Sequence, residues 1–282
     1  MTVSVTQQVD AGAIVDAHAA VGGPVRGRIW IGRLPFDKVD LAGALSSIEE
    51  MIATRAGGMV FTPNVDHVVI AEHHDGFRSA YHRATLCLVD GTPLVWASHL
   101  IRQPLPEKVS GSDLVLPLVQ RAAQRHWRVF LLGGAPGVGD KAASRLQSMF
   151  PGVNIVGTAA PRIDLGAEPR EWIAVAAQVA ACNPDLVLVG FGAPKQELFC
   201  DDVMEVLKPA VLVCVGASVD FIAGVAKRSP PWMSRWGVEW LYRLAHEPRR
   251  LAGRYLLRDP EFALILLRQI GRSCLKSWNL RT

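Results

Sequence analysis

The chain has 282 residues, 50% of them hydrophobic, with 30 basic and 26 acidic side chains and a net charge of +4. That composition supports one large core or two smaller ones, which excludes a disulfide-stapled miniprotein and a disordered chain. The charge is uneven: residues from Lys227 to Thr282 include 12 basic and four acidic side chains, which leaves residues 1–226 net acidic.

Residues 1–27, rich in Ala, Gly and Val without a sustained period, read as a flexible lead-in. They carry no basic segment followed by an apolar block, so no signal peptide is expected. From Ile29 the pattern becomes regular. Leu41, Leu45, Ile48 and Ile52 recur at helical spacing, Gly57-Gly58 stops that helix, and Met59–Phe61 reads as a buried strand. Further strands are predicted at Leu86–Val89, Val129–Leu132, Ile155–Gly157, Leu186–Val189 and Val211–Val215, each flanked by enough chain for a helix. Short apolar runs between helices imply parallel strands covered on both faces, hence an α/β fold with a Rossmann-like parallel sheet flanked by helices. The longest apolar stretch, 209–226, is broken by Asp220 and falls short of the ~20 residues needed to cross a bilayer. After Gly224 the texture changes. Three short helical segments are predicted, restarting near Pro248 and Pro260, which divides the chain into a body over 28–226 and a basic helical C-terminal appendage over 227–282.

The cysteines (Cys87, Cys182, Cys200, Cys214 and Cys274) form no Cys-x-x-Cys pair, as expected of a chain from a reducing cytosol. In an open parallel sheet ligands bind beyond the carboxyl ends of the strands, so the residues following each strand carry the functional signal. Four loops stand out: Thr62-Pro63-Asn64, Asp90-Gly91-Thr92, Gly133-Gly134-Ala135-Pro136-Gly137, and Gly190 through Glu197 with Gly192, Lys195 and Gln196. If the strands are right, all four open on one edge. Thr62-Pro63-Asn64 equally suits a helix cap, and Asp90-Gly91 an ordinary turn. The Gly133-Gly134 loop before a helix suits a phosphate, because glycine admits the anion and the helix offers unpaired N–H groups. It is not the dinucleotide fingerprint, which argues against an NAD-dependent oxidoreductase. In the last loop a turn explains the glycines and proline but not Lys195, Gln196 and Glu197.

No zinc spacing, HExxH or Walker motif is present, and Gly216-Ala217-Ser218-Val219-Asp220 departs from a nucleophile elbow at its last position. His67, His73 and His74 are expected to be solvated helix or loop histidines rather than metal ligands. No Asp-x-Asp site is visible, so neither a metal nor a cofactor is expected, and any diphosphate would be neutralised by the protein. Trp232, Trp236 and Trp240, spaced by four, are expected on one face of a helix, accompanied by Arg235, Arg243, Arg249, Arg250, Arg254 and Arg258. Tryptophan with arginine suits an anionic membrane surface, although the tryptophans could instead dock the helix on the body. With no nucleic-acid motif and a net acidic body, nucleic acid is not an expected partner.

These motifs in order resemble the WecG/TagA/CpsF family of bacterial glycosyltransferases. They are Thr62-Pro-Asn64, Leu88-Val-Asp90-Gly91, Lys108-Val-Ser-Gly111-Ser-Asp113, Leu131-Leu-Gly133-Gly134, Asn183-Pro-Asp185, Gly190 to Glu197, Val215 to Gly224, Arg228-Ser-Pro-Pro-Trp232 and Glu239-Trp240-Leu-Tyr-Arg243. The resemblance implies a metal-independent, inverting transferase. It would move N-acetylmannosamine, its uronic acid or glucose from a UDP-sugar to a polyprenyl-diphosphate-linked glycan for surface polysaccharide, working peripherally on the inner face of the cell membrane. Asp90 would be the base. Thr62, Asn64 and Gln196 would line the pocket, and Arg243, Arg250 and Arg254 would meet membrane and diphosphate. The family usually has Arg where this chain has Lys108. A non-catalytic nucleotide-sugar-binding scaffold at the membrane is the competing expectation, and a homo-oligomer is left open.

Overall fold

A computed structural model describes residues 27–166, 169–230, 232–233 and 236–279. The predicted lead-in lies outside the described residues except for Gly27, whose carbonyl accepts from Lys38 N at 3.0 Å. The first described element is one that periodicity did not foretell, an antiparallel hairpin of β1 (Arg28–Ile31) and β2 (Leu34–Asp37). Buried Asp37 fastens it to the sheet by accepting from Arg28 at 2.9 Å through each oxygen, while Oδ2 also accepts from Cys87 N at 2.8 Å.

The body then alternates as its apolar runs require. In chain order it contains α1 (Leu41–Ala53), β3 (Gly58–Phe61), α2 (Val65–His73), α3 (Asp75–Arg83), β4 (Leu86–Cys87), α4 (Thr92–Leu100) and α5 (Gly111–Arg125). These are followed by β5 (Arg128–Gly133), α6 (Val138–Met149), β6 (Asn154–Ala159), α7 (Pro169–Ala181), β7 (Leu186–Gly190), α8 (Lys195–Leu207), β8 (Val211–Cys214) and α9 (Ser218–Ala223). Strands β3 to β8 form one six-stranded, wholly parallel sheet in the order β4-β3-β8-β7-β5-β6. The strand alternation divides the core in two. Met59, Phe61, Leu212 and Cys214 face one apolar cluster, and Val60, Val211 and Val213 face the other. Every residue of β3 and β8 is buried, and each fully buried aliphatic or aromatic side chain contributes roughly 1.5–3 kcal/mol. This is the expected α/β architecture, and it turns all the strand-end loops toward one edge.

Three helical segments complete the described chain, restarting at Pro248 and Pro260 as expected. They are α10 (Glu239–His246), α11 (Pro248–Ala252) continuing into a π turn (Gly253–Arg258), and α12 (Glu261–Asn279). The last is 19 residues long, not short. The predicted tryptophan face does not form as one helix. Trp236 and Gly237 make a turn, and only Trp240 lies in α10. Gly237 has φ +69°, a left-handed value, so no continuous α-helix runs through it. All three tryptophans are nevertheless exposed. Among the described residues no helix is long and apolar enough to cross a membrane.

Candidate active site

Asp90 owes its place to an extension of the sheet. Beyond the β3–β4 ladder, Leu88 N donates to Phe61 O at 2.8 Å and Asp90 N to Pro63 O at 2.9 Å. On its other side Val109 N donates to Val89 O at 2.8 Å. The first pairing brings Asp90 to the Thr62-Pro63-Asn64 loop, and the second brings Lys108. Arg243 and Glu239 arrive from α10, and Arg254 and Tyr255 from the π turn, to enclose a cavity of about 360 Å³. Val65, Pro93, Trp240, Pro260 and Phe262 supply its apolar wall.

The electrostatics of this pocket suit a base. Burial pushes the Asp90 carboxyl up, the charges of Lys108 and Arg243 pull it back, Glu239 and Asp113 oppose them, and the balance is about 6. A carboxylate poised there is ionised at neutral pH yet holds a proton better than an exposed one. Asp113, by contrast, has burial raising it but hydrogen bonds from Lys108 and Ser110 and the nearby Arg228 lowering it, to about 2. It is a fixed anion that holds Lys108. Arg243 pairs with Glu239 of its own helix at 2.8 Å and stacks over Phe221 at 5.7 Å. Arg254 donates to Asn64 Oδ1 at 2.9 Å. Asn64 also caps α2, accepting from His67 N at 3.4 Å, so the capping expectation and the pocket position are both met by one side chain. Asp259 in the same lining is pushed up to about 6 by burial, against the pull of Arg254.

A second cavity, of about 500 Å³, opens beside the glycine loops and shares no lining residue with the first. Gly134, Gly190, Arg162, Asp164, Lys195 and Asp220 are among the residues around it. Gly133 and Gly190 are in backbone contact here. A Cβ on Gly133, which has φ +118°, would fall 2.6 Å from the Gly190 carbonyl, so glycine is required for this close approach. Gly134 N donates to Gly190 O at 3.2 Å. Gly192, at the tip of its loop, has no heavy atom within 4 Å of an added Cβ. Lys195 leans across the cavity to donate to Ile163 O at 2.6 Å, with Asp164 4.0 Å away.

The predicted residues are thus split. Asn64, Asp90, Arg243 and Arg254 meet in the first cavity, and Gly134 and Lys195 in the second. Thr62, Gly133, Gly192 and Gln196 line neither, and Thr62 and Gln196 are buried in internal hydrogen bonds. Thr62 Oγ1 donates to Cys214 O at 3.1 Å. Gln196 accepts from Gly192 N at 3.3 Å and donates to Glu197 Oε1 at 2.8 Å. The side chain of Arg250 lies outside the described residues. The expectation of solvated histidines holds for His73 and His74 but fails for His67. His67 is buried against Phe77 and Tyr81, 2.7 Å from the Tyr81 hydroxyl, and burial drives it down to about 3. Sequence reasoning also missed Tyr255, Asp259, Arg162 and Asp164, whose only signal was proximity to a named arginine or loop. Among the described residues, no group of three or more His, Cys, Asp or Glu is arranged to hold a metal ion.

The model of the Glycosyl transferase WecG/TagA/CpsF family matches residues 29–274. An N-acetylglucosaminyldiphosphoundecaprenol N-acetyl-beta-D-mannosaminyltransferase of Bacillus spizizenii is 31% identical over 84% of this chain and 90% of its own length. Proteins of the same name from Bacillus subtilis and Staphylococcus aureus are 28% and 29% identical, over 85% and 77% of this chain and 91% and 84% of their own lengths. A match through both the sheet and the C-terminal helices makes the chain a member of the WecG/TagA/CpsF family of glycosyltransferases.

Proposed function

We propose that the protein is an inverting, metal-independent transferase that moves N-acetylmannosamine or a close hexose from a UDP-sugar to a polyprenyl-diphosphate-linked N-acetylglucosamine. The observation that carries this reading is Asp90, at about 6, in a pocket walled by Asn64, Lys108, Arg243 and Arg254. The acceptor hydroxyl attacks the anomeric carbon of the donor and gives its proton to the Asp90 carboxylate. The bond from that carbon to the phosphate oxygen breaks on the opposite face, and its electron pair leaves with UDP. General-base assistance of this kind contributes about 10²–10⁴-fold. Charge gathers on the departing diphosphate, where Lys195 and the backbone N–H groups of the glycine loops offer stabilisation. Arg243 and Arg254 serve the diphosphate of the acceptor, and Thr62 and Gln196 act by stiffening the loops between the two cavities.

In this reading residues 28–226 are the catalytic body and 227–282 a membrane-associating appendage. Exposed Trp232 and Trp236 beside basic residues support peripheral attachment to an anionic surface. The test is incubation with a panel of UDP-sugars and a short polyprenyl-diphosphate N-acetylglucosamine, in the presence and absence of EDTA, with products identified by mass. One new glycosidic product of inverted configuration, formed equally with EDTA, is expected. Failure with every donor removes the reading.

A further inference from the structure

Asp66 lies in the first turn of α2, two residues after the Asn64 cap, and its side chain is buried beneath the π turn. A buried carboxylate remains an ion only when partners compensate its lost hydration. Both its oxygens are engaged from the C-terminal helices. Arg258 Nη1 donates to Oδ1 at 3.0 Å, and Arg254 Nε forms an ion pair with Oδ2 at 3.3 Å. Arg254 reaches further, donating to Asn64 Oδ1 at 2.9 Å and lying over the Tyr255 ring at 5.2 Å. Arg254 lines the Asp90 cavity and Asp66 does not. Arg243, the other arginine of the cavity, is held independently by Glu239 of its own helix.

Two further polar ties between these helices and the body are of another kind. His73 and Glu261 pair at 2.9 Å on an exposed surface, where screening leaves such contacts weak. Gln269 bonds to the hairpin and does not line the cavity. The charged grip nearest the pocket is therefore Asp66. The π turn also has a local signature, the Asp259 N to Arg254 O bond at 2.8 Å, and such widened turns recur where a backbone is adapted to a site.

We propose that Asp66 is a positioning residue for the lipid-linked acceptor: through its ion pairs with Arg254 and Arg258 it seats the π turn on α2 and sets where Arg254 meets a diphosphate in the Asp90 cavity. The proposal rests on the transferase reading given above. Without Asp66 the turn loses its buried anchor and Arg254 its orientation, while the glycine-loop cavity is untouched. Acceptor binding should suffer and donor binding should not.

The experiment uses the full chain with D66A, D66E and R254A, a UDP-sugar donor and a short polyprenyl-diphosphate N-acetylglucosamine. D66A is expected to raise the acceptor KM on the order of tenfold or more, as R254A does, with donor KM and UDP affinity within about twofold of the parent. D66E should recover most of the loss. Without substrates, trypsin should cut D66A faster between Arg249 and Arg258. A D66A protein with parental acceptor KM and parental cleavage overturns the proposal. So does equal damage to acceptor KM, donor KM and UDP affinity, which would mark a general structural role. A parental protein that transfers nothing overturns the transferase reading instead, and the cleavage rates then decide whether Asp66 seats the turn.

Discussion

In β8 all four side chains are buried, whereas α10 buries none of its eight residues. Beyond residue 232 the buried hydrophobic residues among those described are Leu251 and Ile265, while Leu241, Leu256, Leu264 and Leu267 are exposed. The sheet is held by apolar area removed from water on both faces. The C-terminal helices are held by a smaller apolar contact, in which Ile265 joins the core with Phe262 and Leu266 packed against it, and by directed polar contacts at Asp66, His73 and the hairpin. On the proposed reading the contrast places stability and acceptor recognition in different regions. The packed sheet offers a rigid edge for Asp90, and on that reading the more exposed helices bring the cations that meet the acceptor.

The sharpest test of this division is Asp90→Asn, which should cut transfer by about 10²–10⁴-fold while the protein folds and binds UDP as before. Near-normal turnover, measured alongside circular dichroism and UDP titration, would remove the base from the sheet edge. Next in size is Phe61→Ala in β3, fully buried and expected to cost about 3–5 kcal/mol in denaturant unfolding. Exposed Leu264→Ala should stay within about 0.5 kcal/mol. Equal losses would erase the contrast between the two regions.

Titration sharpens the comparison further. Because Asp90 must be ionised to accept a proton, kcat/KM should rise with pH through about 6 and then level. Glu197, fully buried beneath the strand-end loops, is raised by burial to about 7 against its hydrogen bond from Gln196. Its folded value lies above its unfolded one, so the stability it contributes is present below about pH 4.3 and lost as the pH rises through about 7. His67, lowered by burial to about 3, gives a slope of the opposite sign below about pH 6.5. Glu197→Gln keeps an acceptor for Gln196, so the difference in unfolding free energy between parent and variant isolates the glutamate. That difference should run against the parent as pH rises across the window. The smallest effect on folding belongs to Trp236→Ala, with stability unchanged but weaker binding to anionic vesicles. Added salt should weaken the parent's binding too, since screening acts on exposed charge.

Much of the sheet was legible because four- to six-residue apolar runs between helical spacings have few other solutions. Val211–Val215 and Leu186–Val189 were foretold almost to the residue, and so was the edge on which their loops emerge. The β1–β2 hairpin was not, since its alternation covers too few residues and Gly32-Arg33 is a modest turn signal. The division of the loops between two cavities depends on strand order, with β7 and β8 lying between β5 and β3, and no local pattern encodes that. The tryptophan spacing misled because periodicity takes no notice of a left-handed glycine at position 237. Asp66 carries no signal of its own in the sequence. Its meaning comes from Arg258, 192 positions away.

The hairpin and the last helix close the molecule in a way that bears on its handling. Gln269 accepts from Gly32 N at 2.9 Å and donates to Trp30 O at 2.7 Å. Trp30 stands opposite Pro35, which has no N–H to give, and the Trp30 carbonyl takes its donor from Gln269. One amide side chain thereby occupies groups that would otherwise invite a foreign strand. A shortened protein ending before α12 would keep its sheet but bare this seam, and its first symptom in solution would be self-association rather than melting.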